Sequence, residues 1–284
     1  MVLLTPPAAN RLVLSGRDRE RRAVAGGRRV PQTCWVISGS HWPGEVGVKA
    51  GTRYPDAWPK SGFLGQLPAA IRHELLDRGR PCRYHSGERL LLEGGTDTHV
   101  IVLTSGFVKV TVNVEGVEAL AAIRGAGDIV GEAAALAGQP RMASVTACGT
   151  VTGRLVTADA FRHVLGRHPD AARLVTTTVA ERLRWANQRR ADFVAYPAEV
   201  RVARILVEIA GSYGRRADDG SVVIDVPLSQ PELATMIGAS ETTVHKALRT
   251  LRDGRLVRSG YRRLIILDLT ALRRMAIKPS GAAP

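Results

Sequence analysis

Residues 228–257 of the 284-residue chain read LSQPELATMIGASETTVHKALRTLRDGRLV, and this stretch predicts a pair of short crossing helices. Ser229 followed three residues later by Glu232 is a capping box, in which a helix N-terminus satisfies its own free N–H groups. Ser240 predicts the start of the second helix, and Gly254 predicts its end. Gly238 lies between the helices, where the chain must turn sharply. The spacing therefore predicts a helix-turn-helix.

The second predicted helix, 241–253, has chemically different faces. One face is apolar at every third or fourth position and predicts the buried side, with Val244, Ala247, Leu248 and Leu251. The opposite face is polar and carries Glu241, Thr242, His245, Lys246 and Arg249. Packing does not require this polar face, so it is a candidate for contact with a charged partner.

A basic hairpin is predicted directly after this helix. Residues 257–266 form β-like runs on either side of a Ser-Gly turn, and three arginines surround it: Arg258, Arg262 and Arg263. From 241 to 278, ten residues are basic and three are acidic. Such a wing neutralises DNA phosphates while a helix enters the major groove. The sequence therefore favours DNA binding; the alternative is a helical hairpin that contacts another protein.

Upstream, residues 170–194 predict one long helix, because they contain neither Gly nor Pro. At 1.5 Å per residue it extends about 37 Å. Its apolar or small positions return every three or four residues: Ala172, Val179, Ala180, Leu183, Ala186 and Phe193 or Val194. A second copy of the helix would cover this stripe, which predicts a homodimer. The alternative is a long helix that lies on its own domain. A further helix (199–210) and a strand (221–226) are predicted before the helix-turn-helix.

Residues 63–156 have a different pattern. A short amphipathic helical stretch around Ile71 is followed by many short β-like runs that glycines separate. The clearest runs are His99–Leu103 and 107–114. No helix of 10 to 15 residues separates the runs, so they favour an all-β barrel or jelly roll over a parallel α/β sheet.

The composition points to a polyanionic partner. Forty Lys and Arg residues against 26 Asp and Glu give a formal charge of +14. No apolar run approaches the roughly 18 residues that a membrane-spanning helix needs, so no membrane association is expected. The three cysteines, Cys34, Cys82 and Cys148, are too far apart for a disulfide framework or a common zinc motif. We therefore expect a cytoplasmic protein without a bound metal.

The first 61 residues are predicted to be a disordered basic extension. They are rich in Pro and Gly, and residues 1–60 carry ten basic and four acidic side chains. A solvated basic tail is the simpler interpretation. The alternative is an arm that adds nonspecific attraction to DNA.

The order of these parts, with GDIVGEAAALAGQPRMASVTA at 127–147, resembles the Crp/Fnr family of bacterial transcription regulators. The resemblance covers about residues 62–276. It implies an α+β fold that consists of a β-barrel or jelly-roll domain like those that bind cyclic nucleotides (62–168), a long dimerisation helix (169–196) and a winged helix-turn-helix (197–278). The implied function is a dimeric, sequence-specific regulator bound to a palindromic site on double-stranded DNA, with RNA polymerase as a further candidate partner.

The resemblance also implies an effector site. The family motif that binds a cyclic nucleotide is Gly-Glu at a helix start followed by Arg-Ser, and Gly131, Glu132 and Arg141 match it. Met142 stands where the family has Ser, and a thioether cannot donate a hydrogen bond. On the long helix, Asn187 matches a position that faces the base. Cyclic AMP and cyclic GMP are candidate effectors; another small ligand, effector-independent action, or a structural ion pair between Glu132 and Arg141 remain alternatives.

The same resemblance assigns DNA contacts to the helix-turn-helix and its wing. They are Ser229, Gln230, Ser240, Glu241, Thr242, Thr243, His245, Lys246 and Arg262. Lys246 keeps a cation that reaches guanine acceptors, whereas Glu241 would repel them. The seven histidines are scattered, and HExxH, GxSxG and Walker patterns do not occur, so we expect no enzyme activity. The remaining alternative is a largely nonspecific DNA-binding protein.

Overall fold

The structure is a computed structural model that describes residues 58–260 and 263–277. Its first part is predominantly β. The strands are β1 (Arg80–Tyr84), β2 (Arg89–Leu91), β3 (Val100–Ser105), β4 (Phe107–Val114), β5 (Val117–Gly125), β6 (Ile129–Val130), β7 (Ser144–Ala147) and β8 (Val151–Val156). The helices of this part are α1 (Phe63–Gln66), α2 (Ala69–Asp77), α3 (Glu132–Ala137) and α4 (Ala158–Arg167).

The strands form a pair of four-stranded antiparallel sheets, ordered β1-β8-β3-β6 and β2-β7-β4-β5. Ile101 and Leu103 of β3 share a core with residues of β4 and β7 in the other sheet, so the sheets pack face to face. The alternate residues Val100 and Val102 pack on the opposite side, against α2 and α4. Strand β3 is therefore buried on both faces, which explains its continuous apolar run. The predicted jelly-roll type of domain is confirmed as a sandwich, and the described strands do not close into a barrel.

Helix α5 (Pro169–Ala195) follows as the long helix, within one residue of its predicted length at each end. Pro169 occupies its first turn, where the missing N–H costs little. Ala171 and Val175 near its start are buried under the β domain. Farther along, Val179, Leu183 and Val194 are exposed. One chain therefore leaves most of the predicted apolar stripe uncovered.

The C-terminal part, which we call the head, contains α6 (Ala198–Tyr213), β9 (Arg215–Arg216), β10 (Val222–Ile224), α7 (Gln230–Ile237), α8 (Glu241–Asp253), β11 (Val257–Gly260), β12 (Arg263–Ile266) and α9 (Leu269–Ile277). Its sheet has the order β11-β12-β10-β9. Its core joins Leu206 of α6, Ile237 of α7 and Val244 of α8 with Ile224 and Ile266 of the sheet. The two crossed helices and the hairpin are as predicted.

Some details differ from the prediction. Helix α6 continues three residues past Ala210, because Tyr213 is held by the β domain: its hydroxyl donates to the carbonyl of Ile123 at 2.9 Å. Helix α9 was not predicted, and Leu272 and Ala276 bury its inner face against the head. Within the described ranges, no helix combines the length and apolarity needed to cross a bilayer.

Candidate functional site

The outer face of α8 is an exposed polar surface of the helix-turn-helix. Glu241, Thr242, His245 and Lys246 are exposed, whereas Thr243 is half-buried. The side chains of the opposite face are buried in the head: Val244, Ala247, Leu248 and Leu251. The core thus fixes the rotation of the helix about its axis, and this rotation presents the polar residues together on one side.

The start of each crossing helix is fixed by its predicted cap. The Ser229 hydroxyl accepts from the Glu232 amide at 3.3 Å, and the Glu232 carboxylate accepts from the Ser229 amide at 2.8 Å. Ser240 accepts from the Thr243 amide at 3.2 Å. Gly238 has φ 61°, in the left-handed region that its missing side chain permits. Ser229, Gln230 and Ser240 are all exposed, and they lie at helix N-termini, where backbone N–H groups attract phosphate.

The wing extends this surface. Arg258 and Arg263 are exposed on β11 and β12. Of the predicted contacts, Arg262 lies outside the described residues. The structure therefore brings exposed arginines and the polar face of α8 into one compact head.

The head is docked on the β domain. The Lys109 ammonium of β4 lies 2.6 Å from the Glu232 carboxylate of α7. The backbone amide of Leu120 in β5 donates to the Thr235 hydroxyl of α7 at 3.0 Å. Leu120 and Ile123 belong to the hydrophobic core of the head. This contact, which we call the docking interface, connects the β domain directly to the first helix of the helix-turn-helix.

The predicted effector residue Arg141 is buried in a network of protein acceptors. Its guanidinium donates to Asp97 at 2.5 and 3.1 Å, to the Gly131 carbonyl at 2.9 Å and to the His99 carbonyl at 2.7 Å. A Cβ at Gly131 would lie 2.5 Å from this guanidinium, and Gly131 has φ 87°, so glycine is required there. An anion bound by Arg141 would have to replace Asp97.

Glu132 has a different partner. Its carboxylate lies 2.6 Å from the Arg182 guanidinium on α5, and Arg182 also donates to the Ile129 carbonyl at 2.8 Å. The alternative of a structural ion pair between Glu132 and Arg141 is therefore wrong. Both residues are at most 6% exposed, so each charge needs the partner it has.

Asn187 and Met142 point to solvent. Asn187 is exposed and lies one turn after Leu183, which places it with the uncovered stripe of α5. No hydrogen bond joins it to Glu132 or Arg141 within the described part of the chain. Met142 is 73% exposed. One chain therefore brings Gly131, Glu132 and Arg141 together and leaves Asn187 apart.

Sequence reasoning missed Asp97, His99 and Arg182. Burial is the main cause that lowers the pKa of His99, and Arg141 adds to it, although Asp97 opposes them. His99 therefore stays neutral at neutral pH. Arg182 is 50 residues from Glu132, so no local spacing in the sequence indicates that they pair. No group of metal-binding side chains occurs in the described ranges.

Residues 81–168 match the family of cyclic nucleotide-binding domains, and residues 200–275 match the Crp-like helix-turn-helix domain family. The chain belongs to the Crp/Fnr family of transcription regulators. The amino-acid sequence of this Crp/Fnr regulator is 29% identical, over 215 residues, to that of the CRP-like cAMP-activated global transcriptional regulator of Mycobacterium tuberculosis. That alignment covers 75% of this chain and 95% of the relative.

Two further proteins are similar to this chain, one in sequence and one in fold. The HTH-type transcriptional regulator Cmr of Mycobacterium tuberculosis is 27% identical over 177 residues, which are 62% of this chain and 68% of Cmr. The structure of FixK2 from Bradyrhizobium japonicum is similar in fold, with a TM-score of 0.61, 21% identity, and coverage of 72% of this chain and 99% of FixK2. This Crp/Fnr regulator therefore has the fold and the DNA-binding domain of its family.

Proposed function

We propose that the protein is a cytoplasmic homodimer that reads a palindromic site on double-stranded DNA through α8. The observation that carries this proposal is that the outer face of α8 is polar and exposed, whereas its inner face is buried in the core of the head. The nine contacts predicted from the sequence, from Ser229 to Arg262, are part of the proposal. So is the division of the chain into an extension (1–61), an effector domain (62–168), a dimerisation helix (169–196) and a head (197–278).

The chemistry of this face suits base reading. Lys246 presents an ammonium, which reaches guanine O6 or N7. Glu241 accepts from cytosine N4 and repels guanine acceptors. The hydroxyl of Thr242 and the imidazole of His245 can each donate or accept a hydrogen bond. The capped helix starts and the wing arginines hold phosphates, which positions the reading face without selecting sequence.

The dimer would form along α5. Leu183 is 62% and Val194 is 92% exposed in a single chain, on a helix of 27 residues. Val179, Leu183 and Ala186 follow one another at spacings of four and three residues, as in a coiled-coil seam. A parallel pair of α5 helices would bury this stripe and relate two heads by a twofold axis, as a palindrome requires. Contact with RNA polymerase is a further proposal.

A cyclic nucleotide is the proposed effector. Arg141 donates to the carbonyl of Gly131, the neighbour of Glu132 in the chain, so these three residues lie close together. The phosphate would take the place of Asp97 on Arg141, an exchange of one anion for another. The ribose hydroxyl would donate to Glu132. Asn187 would take part only from the partner subunit, because it lies on the proposed dimer seam.

A second candidate is regulation without an effector. The observation in its favour is that both charged residues already have protein partners without a ligand. Arg141 donates to Asp97 and to two backbone carbonyls, and Glu132 is paired with Arg182. Met142 removes one donor to phosphate as well. Under this alternative the protein binds its operator equally well with and without nucleotide.

The test is selection of bound sequences from random duplex DNA by the purified chain, with and without cyclic AMP or cyclic GMP. We expect a palindrome that is preferred over random DNA by roughly 10³-fold or more. Lys246→Ala should reduce this preference by about 10-fold or more while changing nonspecific binding little, and Arg89→Ala, at an exposed position on β2, serves as the control. Equal losses on both DNAs would mean that Lys246 contacts phosphate alone.

The effector is tested separately. If cyclic AMP or cyclic GMP binds, Arg141→Met and Glu132→Gln should each weaken it by at least about 10-fold, since each removes a charged hydrogen-bonding partner. Absence of nucleotide binding by the unmodified chain, together with an intact DNA preference, would exclude cyclic AMP and cyclic GMP as the effector.

A further inference from the structure

The second half of α5 buries charged side chains, whereas its first half buries apolar ones. The buried residues of the helix are Ala171 and Val175 near its start and Arg189 and Asp192 near its end. Asp192 is only 1% exposed. A buried carboxylate is costly unless protein donors hold it in a fixed geometry. The end of the long helix therefore contacts its surroundings through directional bonds.

Both carboxylate oxygens of Asp192 accept hydrogen bonds. Oδ1 accepts from the side-chain amide of Gln188, one turn earlier in α5, at 2.8 Å. Oδ2 accepts from Nε of Arg204 in α6 at 2.8 Å. The Arg189 guanidinium lies 3.7 Å from the same Oδ2 and is also paired with Glu208 of α6. The carboxylate thus joins the long helix to the first helix of the head.

Arg204 extends this contact to the last helix of the head. Its Nη1 donates to the carbonyl of Ala276 in α9 at 3.0 Å. Its guanidinium also lies over the ring of Tyr196, 4.9 Å from the centroid, directly after the last residue of α5. One guanidinium therefore connects α5, α6 and α9 at the point where the long helix ends. We call Asp192 and Arg204 the junction pair.

The residue next to Asp192 contacts the helix-turn-helix itself. A Cβ at Gly238 would lie 3.2 Å from the ring of Phe193, so this ring packs against the turn between α7 and α8. Arg201 of α6 lies 5.7 Å from the centroid of the same ring and donates to the Ile237 carbonyl at 2.6 Å. The end of α5 thus contributes directly to the orientation of α8.

Helix α6 is also held at a second point, by the β domain. There the Tyr213 hydroxyl donates to the Ile123 carbonyl at 2.9 Å. A helix that is held at two separate points cannot rotate about either of them. Loss of the junction pair would therefore allow the head to rotate about its remaining contact with the β domain.

We propose that Asp192 is a positioning residue that sets the distance between the two half-sites read by the dimer. This inference rests on the proposed function, in which a twofold axis relates two α5 helices. The angle between α5 and α8 then determines where both reading faces lie along the DNA. One base pair added between the half-sites moves them apart by about 3.4 Å and rotates them by about 34–36° around the duplex. Heads held by the junction pair cannot follow this rotation, whereas released heads can.

The experiment measures binding of the full chain to the selected palindrome and to duplexes with one base pair added or removed between the half-sites. We expect the unmodified chain to bind the selected spacing at least about 10-fold more tightly than the altered ones. Asp192→Asn keeps the side-chain shape and removes the charge. It should reduce this ratio to about 2-fold, since loss of a charged hydrogen bond corresponds to about 10-fold or more in an equilibrium constant.

The preference for the bases within each half-site should change by less than about 2-fold in Asp192→Asn, because the reading face of α8 is unaltered. A merely structural role would instead weaken base preference and spacing preference together. Asp170→Asn is the matched control. It removes a carboxylate from the first turn of the same helix, where the pair with Arg173 is exposed, and it should keep the spacing preference.

The double variant Asp192→Asn/Arg204→Gln removes both charges, so neither is left buried alone, and it replaces the single variant if that variant does not fold. Its spacing ratio should equal that of Asp192→Asn, because two residues that act as a pair are not additive. Thermal unfolding and light scattering verify that each variant is folded and dimeric.

An unchanged spacing ratio in a folded, dimeric variant, or an equal loss of spacing preference and base preference, would overturn the proposal. If the unmodified chain selects no paired half-sites, the proposed function fails together with this inference. If it selects one spacing and Asp192→Asn keeps that selection, the role of the junction pair alone is refuted.

Discussion

Replacing Lys109 by Met should loosen the head from the β domain. Lys109 makes the ion pair of the docking interface, at 2.6 Å from Glu232. Methionine keeps most of the apolar stem of lysine, so packing beside β4 is preserved and the charge alone is removed. The perturbation therefore isolates the ion pair from the apolar contacts of Leu120 and Ile123.

The loss of docking free energy depends on the hydrogen bonds that the Glu232 carboxylate keeps after the substitution. At 2.6 Å and an effective dielectric constant of 20, the Coulomb attraction is about 6 kcal/mol, most of which desolvation offsets. After the substitution, the Glu232 carboxylate still accepts from the amide and hydroxyl of Ser229. It is not left without partners, so the net cost is about 1.5 kcal/mol rather than the roughly 3–5 kcal/mol of an orphaned buried charge. This shifts the docking equilibrium about 10-fold toward the open state.

The assay is amide hydrogen exchange at Leu120, whose N–H donates across the docking interface to Thr235. We expect exchange about 10-fold faster in Lys109→Met, with the amides of β3 unchanged. Lys60→Met, at an exposed position outside the interface, is the matched control. Unchanged exchange at Leu120, or equal acceleration in the control, would refute the reasoning.

Three further outcomes are expected. Burial tends to raise the pKa of Glu232, but its ammonium partner and its capping bonds outweigh burial and lower it below 4.5. Docking should therefore be fully stabilised above pH 4.5 and weaken as the pH falls through the lowered value, which exchange of the same amide, corrected for intrinsic rates, would measure. Gly238→Ala should destabilise the chain by about 1–2 kcal/mol or more, because its φ is 61° and an added Cβ would lie 3.2 Å from an aromatic ring. Gly211→Ala, in α6 with open space around it, should instead stabilise by about 0.4–1 kcal/mol; thermal unfolding distinguishes these signs. Leu183→Glu should dissociate the proposed dimer in light scattering, whereas Val114→Glu, an exposed apolar residue at the end of β4, should not.

Local signals predicted the elements of the head and the long helix accurately. The capping box at Ser229, the cap at Ser240 and the apolar period of α8 are contacts between residues three or four apart, and all were confirmed. The absence of Gly and Pro predicted α5 to within one residue at each end. Helix α9 escaped prediction, because its burial against α6 depends on the completed head.

The candidate site was predictable only in part. Gly131, Glu132 and Arg141 were found through a motif, but their partners were not. Asp97 is 44 residues from Arg141, and Arg182 is 50 residues from Glu132. No period or local spacing connects residues so far apart, so only the packed β sandwich and α5 show which charges meet.

The amino-acid sequence by itself determined the long helix, the two crossing helices with their caps, the β-rich domain and the basic reading surface, because these depend on neighbours within about one helical turn or one hairpin. The tertiary structure alone decided the docking of Lys109 on Glu232, which are 123 residues apart, and the pairing of Arg182 with Glu132, which are 50 residues apart. Pairing between distant residues is set by how whole elements pack, and burial then requires each charged side chain to have a partner.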